Sequence, residues 1–318
     1  MPSVRRFRLA AALASTAVLT AGLVACGEDS GPQDTDHPVV VASTNVWASV
    51  ASAVAGDDAD VTALFNSTDG DPHEFEPTNA DAARVLDANV IVMNGGHYDA
   101  YMERIAAGAK GHKVSALDDD GHDHDHEDGT HSDEGHAGHD HASTEHAFYT
   151  LPVVADTADE IANSLAEVAP AHADEYRANA KAFRTEIDGL RGRMAKLGSE
   201  HPNTKVAATE PLATTLLSEA GITDIAPAGF TAAVEEGQSP SAADRATFDD
   251  LLHARKVSAL IYNVQSVDPA TESVLSTAKS SGVPVLKFTE SLPEGTHSYV
   301  AWQSAQITQL EEALNTRE

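Results

Sequence analysis

The chain has a single cysteine, Cys26, in 318 residues. That excludes a disulfide within one chain and any zinc site built from several thiolates. Basic side chains are also scarce: 20 Lys and Arg stand against 50 Asp and Glu, a formal charge of −30. Such a surface repels phosphates, which excludes nucleic acid as a natural partner, and it attracts cations. Aromatic residues make up only 5% of the chain, yet a hydrophobic share of 42% over this length is enough for two domains with apolar cores of their own. No HExxH or comparable metallohydrolase signature is present.

Long apolar runs are missing too, except near the start. Arg5, Arg6 and Arg8 precede a run rich in Ala, Leu, Val, Thr and Gly from Leu9 to Ala25. At 17 residues it falls short of the ~20 that a membrane span needs. Its charged start and apolar body are those of a secretory signal, assigned to residues 1–25. Cys26 follows Leu23-Val24-Ala25, an arrangement that resembles the lipobox of bacterial lipoproteins. That resemblance implies lipidation at Cys26, which would become the mature N-terminus anchored to the cell membrane. Residues 26–38, containing EDSGPQDTDHP, have the small, acidic, Pro- and Gly-bearing composition of a flexible tether.

From Val39 onward, short Val-rich runs alternate with helical patterns. PVVVAS (38–43), DVTALF (60–65), NVIVMNG (89–95) and HKVSAL (112–117) read as strands, with helices expected over 47–55, 79–87 and 99–108. The pattern repeats as KVAATE (205–210), ITDIA (222–226), SALIYNV (258–264) and PVLKFTE (284–290), with helices over 211–220, 241–255, 269–281 and 297–314. Strands joined by crossover helices imply parallel sheets, hence an α/β fold of two lobes, each a roughly four-stranded parallel sheet flanked by helices. The lobes are placed at 39–168 and 201–318. Between them, Tyr176, Ala180, Phe183, Ile187, Leu190, Met194 and Leu197 recur at alternating spacings of four and three. This lays one apolar stripe along a helix of about 38 Å. The span 169–200 therefore reads as one long rigid helix joining the lobes, with packing wholly inside one lobe as the alternative.

Ligands of open parallel sheets bind beyond the carboxyl ends of the strands. Four residues hold that position: His73 in DGDPHEFEP after the second strand, His146 in STEHAFYTLP beyond the fourth, Glu210 after the fifth and Glu290 after the eighth. Two imidazoles and two carboxylates, two from each lobe, make a plausible ligand set for Zn²⁺, or for Mn²⁺ given the oxygen donors. Each has a duller reading, as a loop histidine or as a carboxylate beside a helix N-terminus. Asn263 and Gln265, after the seventh strand, could hydrogen-bond the ligand carboxylates or simply satisfy loop backbone. His97, Glu235 and Glu236 read as surface residues.

DPHEFEPT (71–78), NGGHYDAYM (94–102), EHAFYTLP (145–152), the long helix and FTESLPEGTHSYVAW (288–302) together resemble the zinc/manganese solute-binding lipoproteins of ABC transporters, known as cluster A-I or cluster 9. The likeness covers nearly the whole mature chain. It implies two α/β lobes joined by a rigid helix, a metal held between them, and delivery of that metal to a membrane permease. The family's ligand positions fall on His73, His146, Glu210 and Glu290. Zinc-specific relatives often carry a third histidine at the position of Glu210, and the two-histidine, two-carboxylate set is like that of manganese members. The segment after His146 departs from the family's HxWxDP-like pattern, with Phe148, Thr150 and Pro152 here.

One stretch is left over. Residues 118–145 carry eleven Asp or Glu and no Lys or Arg, and they hold His122, His124, His126, His131, His136, His139 and His141. Such a segment cannot bury enough surface to offset its ordering entropy, so disorder without metal is expected. Its imidazoles can still converge on an ion, weakly and at several sites, unless it is only a solvated linker. The expectation is thus a monomeric Zn²⁺-capturing protein, not an enzyme, because catalysis would need an open coordination position and a nearby general base. Mn²⁺ capture, or a surface buffer or adhesin acting through the histidine-rich loop, are the alternatives.

Overall fold

The computed structural model describes residues 35–117 and 145–316. The expected signal, Cys26 and the seven loop histidines from His122 to His141 lie outside the described residues. Among the described residues no helix is long and apolar enough to cross a membrane.

The first lobe opens with β1 (Val39–Thr44), whose β-branched run is buried almost throughout. Thr44 ends the strand and caps α1 (Asn45–Ala55), its hydroxyl accepting the Trp47 N–H. β2 (Asp60–Phe65), α2 (Asn79–Asp87), β3 (Val90–Gly95), α3 (Ala100–Ala106) and β4 (His112–Leu117) follow. A reciprocal capping box between Thr78 and Asp81 starts α2 directly after Pro77. All pairings are parallel, in the order β2-β1-β3-β4.

Beyond the histidine-rich stretch the chain returns as a single 3₁₀ turn at Ala147–Tyr149 and then α4 (Leu151–Val168). Helix α4 has no counterpart among the expected elements. Its buried face runs through Val154, Ala158, Ile161 and Leu165 at spacings of three and four, the period of a helix.

The second lobe repeats the first: β5 (Lys205–Ala208), α6 (Thr214–Glu219), β6 (Thr223–Asp224), α7 (Ala228–Glu235), α8 (Ala242–His253), β7 (Leu260–Asn263), α9 (Pro269–Ser281), β8 (Val285–Phe288) and α10 (Tyr299–Asn315), numbered after the joining helix α5 (Ala173–Glu200). Its sheet order, β6-β5-β7-β8, is the same as that of the first lobe, and it too is parallel. The expected strand at 222–226 shrinks to two residues. The Asp224 carboxylate accepts the backbone N–H groups of Ala226 and Ala208, at 2.9 and 3.2 Å, and bends the chain toward Pro227. Helix α7, also unforeseen, begins there.

Helix α5 spans 28 residues, about 42 Å of axis. Its buried residues are the seven of the predicted stripe. The helix touches both lobes. Tyr176 and Asn179 donate to the carbonyls of Asp58 and Val54 in the first, while Arg193 reaches Ser304, Thr308 and Glu311 on α10 in the second. Burial of side chains such as Phe183, Ile187 and Met194 contributes roughly 1.5–3 kcal/mol each. One core therefore runs under both sheets along this helix, including Trp47, Tyr176, Leu216 and Trp302.

Candidate metal centre

His73, His146, Glu210 and Glu290 each follow the carboxyl end of a strand in the chain. His73 follows β2 in a 3₁₀ turn, Pro72–Glu74, which Asp71 caps by accepting the His73 N–H at 2.8 Å. His146 is held by its neighbours' backbone. Asn94, at the end of β3, donates to the carbonyl of Glu145 at 2.6 Å, and Tyr299 and Gln303 on α10 both donate to the carbonyl of Phe148. Asn94 is itself held by the Trp47 indole N–H. The turn after β3 depends on Gly95, at φ +74°, because a Cβ there would lie 2.2 Å from the Leu117 carbonyl oxygen.

These turns bring three side-chain atoms together. His73 Nε2 and His146 Nε2 are 3.4 Å apart, and Glu290 Oε2 lies 3.4 Å from the first and 3.1 Å from the second. Tetrahedral zinc with ~2.0–2.1 Å bonds places neighbouring ligand atoms ~3.3–3.4 Å apart, close to this triangle. His146 and Glu290 are fully buried, and His73 is 18% exposed. Glu290 is fixed through both oxygens: Tyr98 donates to Oε2 at 3.0 Å and Asn263 to Oε1 at 2.6 Å.

Glu210 is 1% exposed, and its Oε1 has no hydrogen-bond partner. It is not one of the donors whose ligand atoms lie within 4.8 Å of one another. Among the described residues those groups near the cleft are His73 with His146 and Glu235, and His73 with Asp71 and Glu290. Glu210 feels the charges of Glu290 and Glu235.

The electrostatics divide the carboxylates. Burial, together with the Glu290 and Glu235 charges, pushes Glu210 well above the usual carboxylate range. Burial would raise Glu290 as well, but the two histidines outweigh it and hold that carboxyl below its ordinary value. Of this buried pair Glu290 is the carboxyl whose charged form the histidines favour, and Glu210 is the one whose charged form burial and its acidic neighbours disfavour. Burial alone would lower His73, yet its hydrogen bond to Glu290 and the charges of Glu290, Glu235 and Asp71 push it up to about 9. Burial also raises Asp71 and Glu235.

The two amides expected to brace the carboxylates divide the task. Asn263 bonds the Glu290 carboxylate, whereas Gln265 accepts the backbone N–H groups of Glu290 and Ser291 and donates across the cleft to the Gly70 carbonyl. His97 and Glu236 are exposed, as expected of surface residues. Glu235 is not. It is only 16% exposed, and its Oε1 lies 3.6 Å from His146 Nδ1 and 3.9 Å from His73 Nε2. The surface reading fails because a Glu-Glu-Gly run looks solvated, and because helix α7, which turns the first of the pair inward, is not foreseen. Tyr98 is also overlooked as a site residue, although it follows the glycine turn after β3, where ligand-facing groups concentrate. A groove of about 660 Å³ lined by Asn45, Arg84 and His297, among others, lies apart from this cluster. A bare ion needs no cavity of that size.

Two parallel α/β sheets, facing each other through buried imidazoles and carboxylates, define a class of two-lobed proteins with a ligand cleft between the lobes. Residues 40–313 match the family described as zinc-uptake complex component A, periplasmic (ZnuA), and the chain belongs to that family. Over 179 residues the chain is 27% identical to the manganese-binding lipoprotein MntA of Bacillus subtilis strain 168, an alignment covering 56% of each protein, so the match spans about half the length of that curated relative. The fold is shared with the laminin-binding protein Lmb of Streptococcus agalactiae at 21% identity and a TM-score of 0.69, covering 87% of this chain and 99% of that one. The SBP FpvC of Pseudomonas aeruginosa in complex with Mn²⁺ gives 20% identity and a TM-score of 0.67, covering 89% and 100%. A ZnuA crystal structure gives 19% and 0.67, covering 88% and 99%.

Proposed function

We propose that this chain is an extracytoplasmic, lipid-anchored protein that captures Zn²⁺ between its lobes and delivers it to an ABC-transporter permease. His73, His146 and Glu290 would bind the ion directly, and Glu210 would complete the set as a carboxylate, its charge offset by the ion. One observation carries this reading: Nε2 of His73, Nε2 of His146 and Oε2 of Glu290 form a buried triangle with sides of 3.1–3.4 Å, close to the spacing zinc ligands require. Membership of a family described by zinc uptake supports the choice of cargo. Hydrogen bonds from Asn263 and Tyr98 leave Glu290 little freedom to turn away, so an arriving ion meets a ready donor. The seven histidines from His122 to His141 would act as a weak collecting segment beside this tight site.

A second reading, Mn²⁺ as the cargo, is favoured by the donor chemistry. Carboxylates outnumber imidazoles around the cleft, and oxygen-rich sets suit the harder ion. The deciding experiment is metal analysis of protein isolated without added metal, followed by calorimetric competition between Zn²⁺ and Mn²⁺. One zinc per chain that Mn²⁺ fails to displace is expected. Displacement of Zn²⁺ by equimolar Mn²⁺ would reassign the cargo, and the absence of any tight site would end both readings. For the anchor, Cys26→Ser should release the protein from the membrane fraction.

A further inference from the structure

His146 presents a problem that the metal-binding triangle leaves open. Its side chain is fully buried, and its Nε2 faces Glu290 and His73. The other ring nitrogen, Nδ1, has no hydrogen-bond partner. An imidazole that binds a metal through Nε2 carries its proton on Nδ1, and a buried N–H of that kind needs an acceptor. The rings packed around His146, those of Tyr98, Phe148 and His73, meet it edge-on and offer none.

Glu235 is the acceptor that faces it. Its Oε1 lies 3.6 Å from Nδ1, and its Oε2 is buried without a hydrogen-bond partner. The location is costly without a function. Glu235 is the last residue of α7, where the helix dipole is negative and a carboxylate is disfavoured. It also belongs to the second lobe, whereas His146 belongs to the first, so their contact crosses the cleft.

We propose that Glu235 is the positioning residue for His146: in the loaded protein its Oε1 accepts the Nδ1–H, fixes the tautomer that presents Nε2 to the ion, and ties the ring's orientation to the approach of α7. The inference rests on the metal-capture reading. A shift of less than an ångström brings the present 3.6 Å to the ~2.7–2.9 Å of a charge-assisted hydrogen bond. Glu235 thus acts on the ion through His146 and is not itself a ligand.

The test uses the zinc-loaded, ¹⁵N-labelled protein and its Glu235→Gln and Glu235→Ala variants. In the wild type, NMR should show the His146 proton on Nδ1, slow to exchange with water. The glutamine amide retains a carbonyl oxygen that can accept this proton, so Glu235→Gln should keep the resonance, and its zinc affinity should stay within about threefold. Glu235→Ala should lose the resonance and bind zinc roughly 10–100-fold more weakly, the usual cost of removing such a partner. The Co²⁺-loaded Glu235→Gln protein should give the wild-type absorption spectrum. A changed spectrum would make Glu235 a direct ligand and overturn the proposal. So would wild-type affinity and an unaltered resonance in a folded Glu235→Ala protein, or metal bound at Nδ1. A wild-type chain that takes up no zinc or cobalt would instead bring down the metal-capture reading on which this rests.

Discussion

The two lobes share one strand order but carry opposite chemistry. Beyond its strands the first lobe presents imidazoles, His73 and His146, against an aromatic wall formed by Tyr98 and Phe148. The second presents carboxylates, Glu210, Glu235 and Glu290, braced by the amides of Asn263 and Gln265. The contrast is sharpest after the fourth strand of each sheet, where His146 and Glu290 come to lie 3.1 Å apart. Neither lobe alone could hold a divalent ion in a balanced way. The first adds only the Asp71 carboxylate to its two imidazoles, and the second would force several carboxylates together in a buried space, where burial and the Glu290 and Glu235 charges push Glu210 above the usual carboxylate range. The candidate site is assembled only across the cleft.

If so, removing either side of the cross-cleft pair should have the largest effect. Glu290→Gln and His73→Ala are each expected to weaken zinc binding by at least about 100-fold, ~2.7 kcal/mol, in calorimetry, with the fold retained by circular dichroism. Unchanged affinity in both would remove these residues from the site. Next comes the bracing of the carboxylate side. Asn263→Ala frees one oxygen of Glu290 and should cost roughly 10–100-fold in affinity.

A smaller, graded effect should come from the proton on the imidazole side. His73 in the metal-free protein holds a proton up to about 9, and metal binding requires the neutral ring. Binding therefore expels a proton below that pH. Affinity should climb about tenfold per pH unit from neutrality, somewhat more steeply if Glu210 releases its own proton as well, and level off above about 9. The same shift stabilises the metal-free fold fully below the ordinary histidine value of 6.5, and that stabilisation is lost as the pH rises through about 9. A pH-independent affinity measured by competition would contradict the pairing of His73 with Glu290.

The smallest effect is expected where the histidines are densest. Deleting residues 121–141 should leave the tight site within about threefold, ~0.7 kcal/mol, and abolish only the weaker additional binding seen in titration. Loss of all tight binding would transfer the function to the loop.

Much of this molecule is legible in its amino-acid sequence. Val-rich runs bounded by Gly, Asp and Pro mark most strands because β-branched side chains suit buried parallel sheets. The period of the α5 stripe gives all seven of its buried residues, since burial on a helix face follows a repeat of 3.6. His73, His146, Glu210 and Glu290 stand out because strand ends are where such sheets bind ligands. Helix α7 escapes notice because it is short and rich in alanine, so its apolar face contrasts little with the rest, whereas the period of α4 is there to be read. Glu235 is misread along with α7, because the solvation of one glutamate in a Glu-Glu pair depends on which way a short helix turns.

The sequence by itself determined the two parallel α/β lobes, the long helix between them and the kinds of donor at the strand ends. These follow from local periodicity and residue type, which neighbours along the chain are enough to set. Tertiary structure alone decided which donors meet and in what state of charge. It set His73, His146 and Glu290 at 3.1–3.4 Å, buried Glu210 so that its carboxyl is pushed above the usual range, and brought Glu235 from a supposed surface to the unpartnered face of His146. Those outcomes depend on distances and burial between segments some 70 to 220 residues apart, and on the field the segments create for one another once water is excluded.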